Sequence, residues 1–580
     1  MERYSIIIII FLLFASILHL NLGIGDDDVV AFAEDFYKPH SPIRIESNED
    51  FNLAHGVVYG SGTEDDPYII SGWKIDANHT QYGILISNVS AYVVIENCYI
   101  SNTFHSTGKS VGQGYWDFFD DAGIKISNAS NVRIENVTLD YCNSGIIIEY
   151  SYNIFISDSH FTSVIWDGIY ANSSRWIYIN SNVFTFPSGG ILLRHVYFSK
   201  IQKNRFIKVS GENIAVYNTG HIYVANNTFL EGNRISMGID AESSNNNTFE
   251  NNTIKNYGTG IFVKSSYSMR ILNNTLENCS VKIGGSFAQV LSYIMEGNRV
   301  NGKDLIFIKN MENFSINSNN STPGEMILVN VSHFQIFGMK ISHTSVAIQV
   351  LYGNNGTIEN MTFRDNLKAL LIENSRNITL RKNSISGGED GIVLISCESS
   401  YISDNNCQYT RSSGIYISNC EHIKIENNSC YRCGYAIDVK CFSEDIRVVN
   451  NHCNENVNGI YLWFVYNSEI KRNVCSNNKD MGILISGELV NSTITGNICN
   501  DNQWYGINVD GWVKDSTISN NVLRGNREGL KIEDSEALQN CTVIGNDISN
   551  RIENSVMYLI LVLFTISIFA VLFIRWKKRR

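Results

Sequence analysis

Apolar and polar residues alternate along most of the chain in short runs, and the runs return at a fixed spacing. A Gly or Ala followed by an alternating apolar stretch stands at Gly123, Gly145, Gly168 and Gly190, separated by 22, 23 and 22 residues. The register continues at Gly238 and Gly260, and again at Ala347, Ala369, Gly391, Gly414, Ala436, Gly459, Gly482, Gly506 and Gly529, always 22 to 24 apart. Within one period, residues 145–148 read as a strand, 150–153 as a polar corner and 154–156 as a second strand. Phe161 follows as a single inward residue after another corner. Period-two alternation gives each strand one buried and one outward side. One coil cannot hide its own apolar residues. Burying a Val, Ile or Phe is worth roughly 1.5 to 3 kcal/mol, and only stacking on neighbouring coils removes it from water.

The pattern predicts an all-β fold, a right-handed parallel β-helix of about 20 coils of 22 to 24 residues running from Gly83 to Gly529. At about 4.8 Å per stacked strand this is a rod on the order of 95 Å long. The spacing drifts between about 280 and 344, where irregular coils are expected. Asn182, Asn227, Asn252, Asn274, Asn428 and Asn451 recur just before the third inward position. Their side chains are expected to bond to the equivalent Asn above and below.

The two ends break the period. Residues 6–18 are an apolar run after Arg3, so 1–25 reads as a signal peptide or an uncleaved N-terminal anchor. Residues 26–78 are then an N-terminal cap and first coil, and 79–550 the β-helix. Residues 556–574 are uncharged and long enough for a transmembrane helix, and 575–580 form a basic tail around Trp576. The positive-inside rule puts that tail in the cytoplasm. The expectation is a single-pass protein of the cell membrane with the bulk of the chain extracellular.

Composition narrows the partners. The chain has 45 Lys+Arg against 57 Asp+Glu, a net charge of −12, which argues against nucleic acid. With 43 Gly, abundant Asn and only 5 Pro, the turns fall to residues that tolerate left-handed backbone angles. Asn-x-Ser/Thr sequons at Asn78, Asn88, Asn128, Asn226, Asn251, Asn273, Asn330 and Asn377 are glycosylation candidates, although an Asn-rich, Ser/Thr-rich chain also generates them by composition.

Three stretches carry a resemblance: residues 55–75 (HGVVYGSGTEDDPYIISGWKI), residues 301–310 (NGKDLIFIKN), and the repeat itself in residues 414–428 (GIYISNCEHIKIENN). Over roughly residues 40 to 550 the chain resembles archaeal members of the NosD-like β-helix group, the carbohydrate-binding and sugar-hydrolase repeat proteins. The resemblance implies the parallel β-helix. It also implies two lines of chemistry, copper delivery for nitrous oxide reductase, from which the group takes its name, and the polysaccharide lyases, hydrolases and epimerases that share the repeat.

Several constellations are candidates for that chemistry. Cys407, Cys430, Cys453, Cys475 and Cys499 are 23, 23, 22 and 24 residues apart, one per coil, at the position held by Ile385 before them and Leu523 after. They read as an inward stack of small hydrophobes whose neighbouring rungs lie within disulfide range. Cys430 and Cys433 form a Cys-x-x-Cys pair with His422 half a coil earlier, a weak site for copper or another metal. No cofactor is otherwise expected. Trp116, Asp117, Asp120 and Asp121 group carboxylates with an aromatic ring, as acid/base chemistry on sugars needs. A tethered carbohydrate-active enzyme requires one of these Asp residues to meet Lys125, Asp167, Arg194 or His195 on one face. Trp463, Trp504, Tyr505 and Trp512 offer ring faces for a polysaccharide or cell-envelope glycan. The sequence favours non-catalytic glycan binding and display, with the tethered enzyme as the alternative and a copper-related role as the second. The oligomeric state is not legible.

Overall fold

The computed structural model describes residues 37–78, 80–103, 121–318 and 322–551. The chain divides into two compact units, Met1–Thr228 and Phe229–Arg580, which together hold about 20 turns of right-handed parallel β-solenoid. The expected signal peptide, the apolar run 556–574, the basic tail, Trp116, Asp117 and Asp120 lie outside the described residues. Among the described residues no helix is long and apolar enough to cross a membrane.

In unit 1 a turn consists of three short strands, such as Ser144–Glu149, Tyr152–Ser157 and His160–Thr162. The next turn repeats them as Asp167–Asn172, Arg175–Asn180 and Val183–Thr185. Pairing is parallel and in register, with Ile146 opposite Ile169, Ile154 opposite Ile177 and Phe161 opposite Phe184. The inward residues are fully buried, and Phe161, Phe184 and Phe206 stack at 4.5 and 4.7 Å between ring centroids. The repeating glycine follows from this stack. A Cβ on Gly168 would stand 2.6 Å from the Phe184 ring and 2.9 Å from the Gly190 carbonyl. The first turns carry one antiparallel pair, Val57–Tyr59 with Tyr68–Ser71.

Each corner is turned by one residue in the left-handed region, here Tyr150, Asp158 and Ser163 with φ near 50°. That conformation costs a non-glycine residue roughly 1 to 2 kcal/mol. It also keeps the corner N–H aimed along the stack: Tyr150 donates to Asn172, Asp158 to Asn180 and Ser163 to Thr185, all at 3.2–3.3 Å. The asparagine stacks form as expected. In unit 1, Asn182 donates its backbone N–H and its Nδ2 to Asn204 Oδ1, and Asn204 does the same to Asn227.

Unit 2 contains the irregular stretch. Val281–Gly284 is followed by a five-residue helix, Phe287–Leu291, and by an antiparallel pair of Arg299–Val300 with Lys303–Lys309. Buried Glu325 accepts from Val281 N–H and Ser280 Oγ, both at 3.0 Å, which covers the start of the strand that ends the regular turns. Regular parallel turns resume through Val346–Leu351, Lys368–Glu373 and Asp390–Ile395. The ladder Asn405, Asn428, Asn451, Asn473 runs through one corner, and Asn252 bonds to Asn274 in the turns before the irregular stretch. The cysteine column also forms as expected. Ile385, Cys407, Cys430 and Cys453 are in register, the five thiols point inward and are buried, and all thirteen cysteines are free.

Candidate functional site

The outward positions of the first strand of each turn line up in rows, so side chains far apart in sequence share a face. In unit 1 the strands Ala122–Ser127, Ser144–Glu149, Asp167–Asn172, Gly189–Arg194 and Glu212–Tyr217 present three rows. Lys125, Ile147, Tyr170 and Leu192 form one, and Ser127, Glu149, Asn172, Arg194 and Tyr217 the next. Asp167 is paired with Gly189 on the leading edge, and continuing the register places Glu212 one rung further.

Charges and rings on this face are engaged with one another. Buried Lys125 Nζ lies 2.7 Å from Glu149 Oε2, and the Arg194 guanidinium lies 5.1 Å from the Tyr217 ring centroid. The Asp167 carboxyl occupies the notch left by Gly189, where a Cβ would come 2.2 Å from its Oδ1. Burial pushes that carboxyl up to about 7; the charge of Glu212 adds to the shift and Arg194 opposes it. The half-exposed Trp166 indole stands beside it in the chain, and the buried Ser144 Oγ has no hydrogen-bond partner. A protonated carboxyl near neutral pH, within the field of Arg194 and next in the chain to an exposed indole, is equipped to donate a proton to a sugar oxygen.

The expected site residues are thus partly brought together. Lys125, Asp167 and Arg194 share the face. His195 does not: it takes the left-handed corner, with φ of 50°, and its exposed ring lines a separate groove with Tyr150, Arg175 and Phe198. Asp121 precedes the first strand, and its carbonyl accepts from Ser144 N–H at 3.1 Å. Glu149, Tyr170 and Glu212 were not singled out by sequence. The signal lay in reading equivalent positions down the repeat, since Asp167 and Glu212 both stand one residue before the glycine position.

Apart from Trp116, which lies outside the described residues, the aromatic candidates lie in unit 2 and do not form one ladder. Trp463 pairs with Ser486 and Trp512 with Glu488, while Tyr505 lies between Met481 and Glu528. Trp504 carries Arg527 at 4.8 Å over its ring. Among the sequon residues, Asn88, Asn128, Asn226, Asn251, Asn273, Asn330 and Asn377 all take left-handed corners, and Asn78 is an exposed residue outside that set. The sequons therefore coincide with corner chemistry: at 128–130, 226–228, 251–253 and 273–275 a left-handed Asn is followed by an inward residue and then by the Ser or Thr that opens the next strand.

The metal candidates do not converge. Cys430 is buried in the inward column, and Cys433 is buried in the following corner, its N–H donating to Asn456 Oδ1 at 2.9 Å. Burial pushes the Cys433 thiol up to about 12. The Cys430 thiol is also held well above its usual value, first by its hydrogen bond with Cys407 and then by burial. His422 is on an exposed corner with Nδ1 2.8 Å from Asp445. Copper needs accessible thiolate or imidazole donors in a set. Among the described residues no group of three His, Cys, Asp or Glu can hold a metal ion, so these residues do not fit copper.

Residues 69–286 and 440–560 match the family described as periplasmic copper-binding protein (NosD). The chain belongs to the NosD family. Residues 326–464 of this NosD-family chain match the right handed beta helix region. No curated protein matches it. Among solved structures, the complex of XylC with xylose is 11% identical at a TM-score of 0.32, covering 40% of this chain and 54% of XylC. The mannuronan C-5 epimerase AlgE4 A-module of Azotobacter vinelandii is 12% identical at a TM-score of 0.35, covering 50% and 90%. The periplasmic alginate epimerase AlgG is 12% identical at a TM-score of 0.28, covering 78% and 85%.

Proposed function

We propose that the protein is an exported, membrane-anchored NosD-family member that cleaves glycosidic bonds on the outward face of unit 1, with Asp167 as the proton donor. The observation that carries this reading is the Asp167 carboxyl, held near 7 in the Gly189 notch beside Trp166, Tyr170 and Arg194. Below that pH, Asp167 gives its proton to the glycosidic oxygen as the bond from the anomeric carbon breaks. Glu212 stands two rungs away, about 9.6 Å between Cα atoms at 4.8 Å per strand. In this proposal the two carboxyls lean so that a water fits between them, which needs roughly 6.5 to 9.5 Å from carboxyl to carboxyl. Glu212 takes a proton from that water as it adds to the anomeric carbon, so one water is consumed and two sugar ends form. Lys125 and Arg194 supply positive charge along the face, and the Trp166 indole supplies a stacking surface.

Export and anchoring rest on the apolar run 6–18, the uncharged run 556–574 and the basic residues after it. The copper chemistry in the family's description is not carried over, because the described thiols and histidines do not form a site.

The test is to incubate the full chain with a panel of neutral and acidic polysaccharides and measure new reducing ends. Turnover that disappears in Asp167→Asn and persists in Tyr409→Ala supports the reading. New ends on no substrate of the panel, or full turnover by Asp167→Asn, sinks it.

A further inference from the structure

Unit 2 carries a second cluster on the outward face of its own first strands, made of residues that the unit 1 chemistry does not use. Tyr416, Asp438 and Tyr461 follow one another in one row, and Ser413, Tyr435 and Asn458 in the row beside it. Lys440 and Trp463 flank them, with Cys441 N–H donating to the Trp463 carbonyl at 3.1 Å. Asp438 is only 1% exposed although its position faces outward. Its Oδ2 accepts from Lys440 Nζ at 3.0 Å and from Ser413 Oγ at 3.3 Å, whereas its Oδ1 is buried without a partner. The amide oxygens of buried Asn458 and Asn508, on the same face, are also without partners.

Rings surround this polar floor. Lys440 Nζ is 5.6, 5.7 and 5.0 Å from the ring centroids of Tyr416, Tyr435 and Tyr461, and the last two rings are 5.3 Å apart. Trp463 lies across Gly487, where a Cβ would come 2.8 Å from its Cδ1. All four rings are half-buried, so each keeps part of its face or edge open.

A structural role alone leaves this arrangement unexplained. A carboxylate oxygen buried without a donor costs on the order of 1 to 3 kcal/mol or more, and an apolar side chain would avoid that cost, as Leu371 and Val393 do in the same row. We infer that the cluster is a second glycan-binding site, which takes a neutral, hydroxyl-rich sugar stacked on Tyr435, Tyr461 and Trp463 with its hydroxyls donating to Asp438 and Asn458. The three oxygens lacking partners are all acceptors, so the complementary ligand is rich in donors. The surrounding charge points the same way. Asp390 adds to the upward shift of the Asp438 carboxyl, which burial chiefly drives to about 6, and Asp480 acts on Tyr435. An anionic sugar would meet these carboxylates with their neighbouring cations already engaged, Lys440 by Asp438 and Lys368 by Asp390.

This site rests on unit 2 residues alone and is tested apart from turnover. Binding is measured by calorimetry on the full chain carrying Asp167→Asn, with cellohexaose, maltohexaose, chitohexaose and hexamannuronate as probes. At least one neutral hexasaccharide is expected to bind, with Kd raised tenfold or more by Tyr461→Ala and by the near-isosteric Asp438→Asn, and unchanged by Tyr409→Ala, whose ring meets Tyr431 and Arg432 rather than the cluster. Circular dichroism matching the parent establishes that each variant is folded. Binding of none of the four, preference for hexamannuronate, or an unchanged Kd in a folded Asp438→Asn variant overturns the proposal.

Discussion

Asp167 ties catalysis and stability to the same proton. Its carboxyl is raised from an ordinary value near 3.8 to about 7, chiefly by burial. Between those values the folded chain holds a proton that the unfolded chain has released, so stability from this group is fully present below about pH 4 and is lost as pH rises toward and through 7. Asp167→Asn keeps the shape without the charge. The variant is therefore expected to melt above the parent at pH 8, with the difference shrinking as pH falls and gone by about pH 3. Equal melting temperatures at both pH values would mean that the carboxyl is not buried in the folded chain. The proposed activity should fall over the same range, with kcat declining above about pH 7 as the donor loses its proton. Thiols give a second prediction at this scale. Cys441 and Cys541 are partly exposed and the other eleven cysteines are buried. Brief alkylation of the native chain should label those two only, and alkylation in denaturant all thirteen; early labelling of Cys430 or Cys433 in the native chain would contradict the inward column.

At the level of strands and corners, the asparagine ladder carries a large share of the specificity of the stack. Asn428 Oδ1 accepts from Asn405 N–H and Nδ2, and its own Nδ2 donates to Ile402, Glu426 and Asn451 oxygens at 2.9–3.1 Å. Asn428→Ala leaves Asn405 N–H buried without an acceptor, and should cost about 2 to 4 kcal/mol in equilibrium unfolding. Its neighbour Asn427 turns the corner with φ of 55° and is exposed. Asn427→Gly should therefore change stability by less than about 0.5 kcal/mol, and Asn427→Ala should cost about 1. The contrast between adjacent asparagines was only half legible in the sequence. The period shows that Asn recurs, and the inward pattern shows which one stacks, because both follow from counting along one chain. The cysteine column was legible for the same reason. The candidate site was legible only in part: Lys125 and Arg194 are outward by parity, whereas Asp167 shares the parity of the inward Ile169 and Ala171 and faces out only because Gly168 and Ile169 both face the core. His195 breaks parity because the left-handed corner turns it off the strand, and Glu212 becomes visible only when equivalent positions two turns apart are lined up. Asp438 was hidden for a further reason. An Asp in an alternating strand reads as solvated, whereas here tyrosines from the turns on either side bury it.

Over the whole molecule, a parallel solenoid has almost no contacts between distant turns, so damage should stay local and decay with distance along the stack. The phenylalanine column of unit 1 allows this to be measured. Phe184 is fully buried between Phe161 and Phe206, and Phe184→Ala removes a ring that both neighbours pack against, at a cost of roughly 3 to 5 kcal/mol. A globular core of this length would spread the loss through many long-range contacts. Here the amides expected to lose hydrogen-exchange protection first are those of Val183–Thr185 and its in-register neighbours His160–Thr162 and Arg205–Ile207, together with Asp167–Asn172, whose Gly168 faces the Phe184 ring. Strands of the opening turns, such as Ile43–Ile45 and Tyr68–Ser71, should keep most of theirs. Asp167–Asn172 also carries the proposed proton donor, so the variant should lose activity at a lower temperature than it loses its circular dichroism signal. Uniform loss of protection across unit 1 would show instead that its turns unfold as one cooperative block, and then the spacing of Asp167 and Glu212 would depend on every rung rather than on the few beneath them.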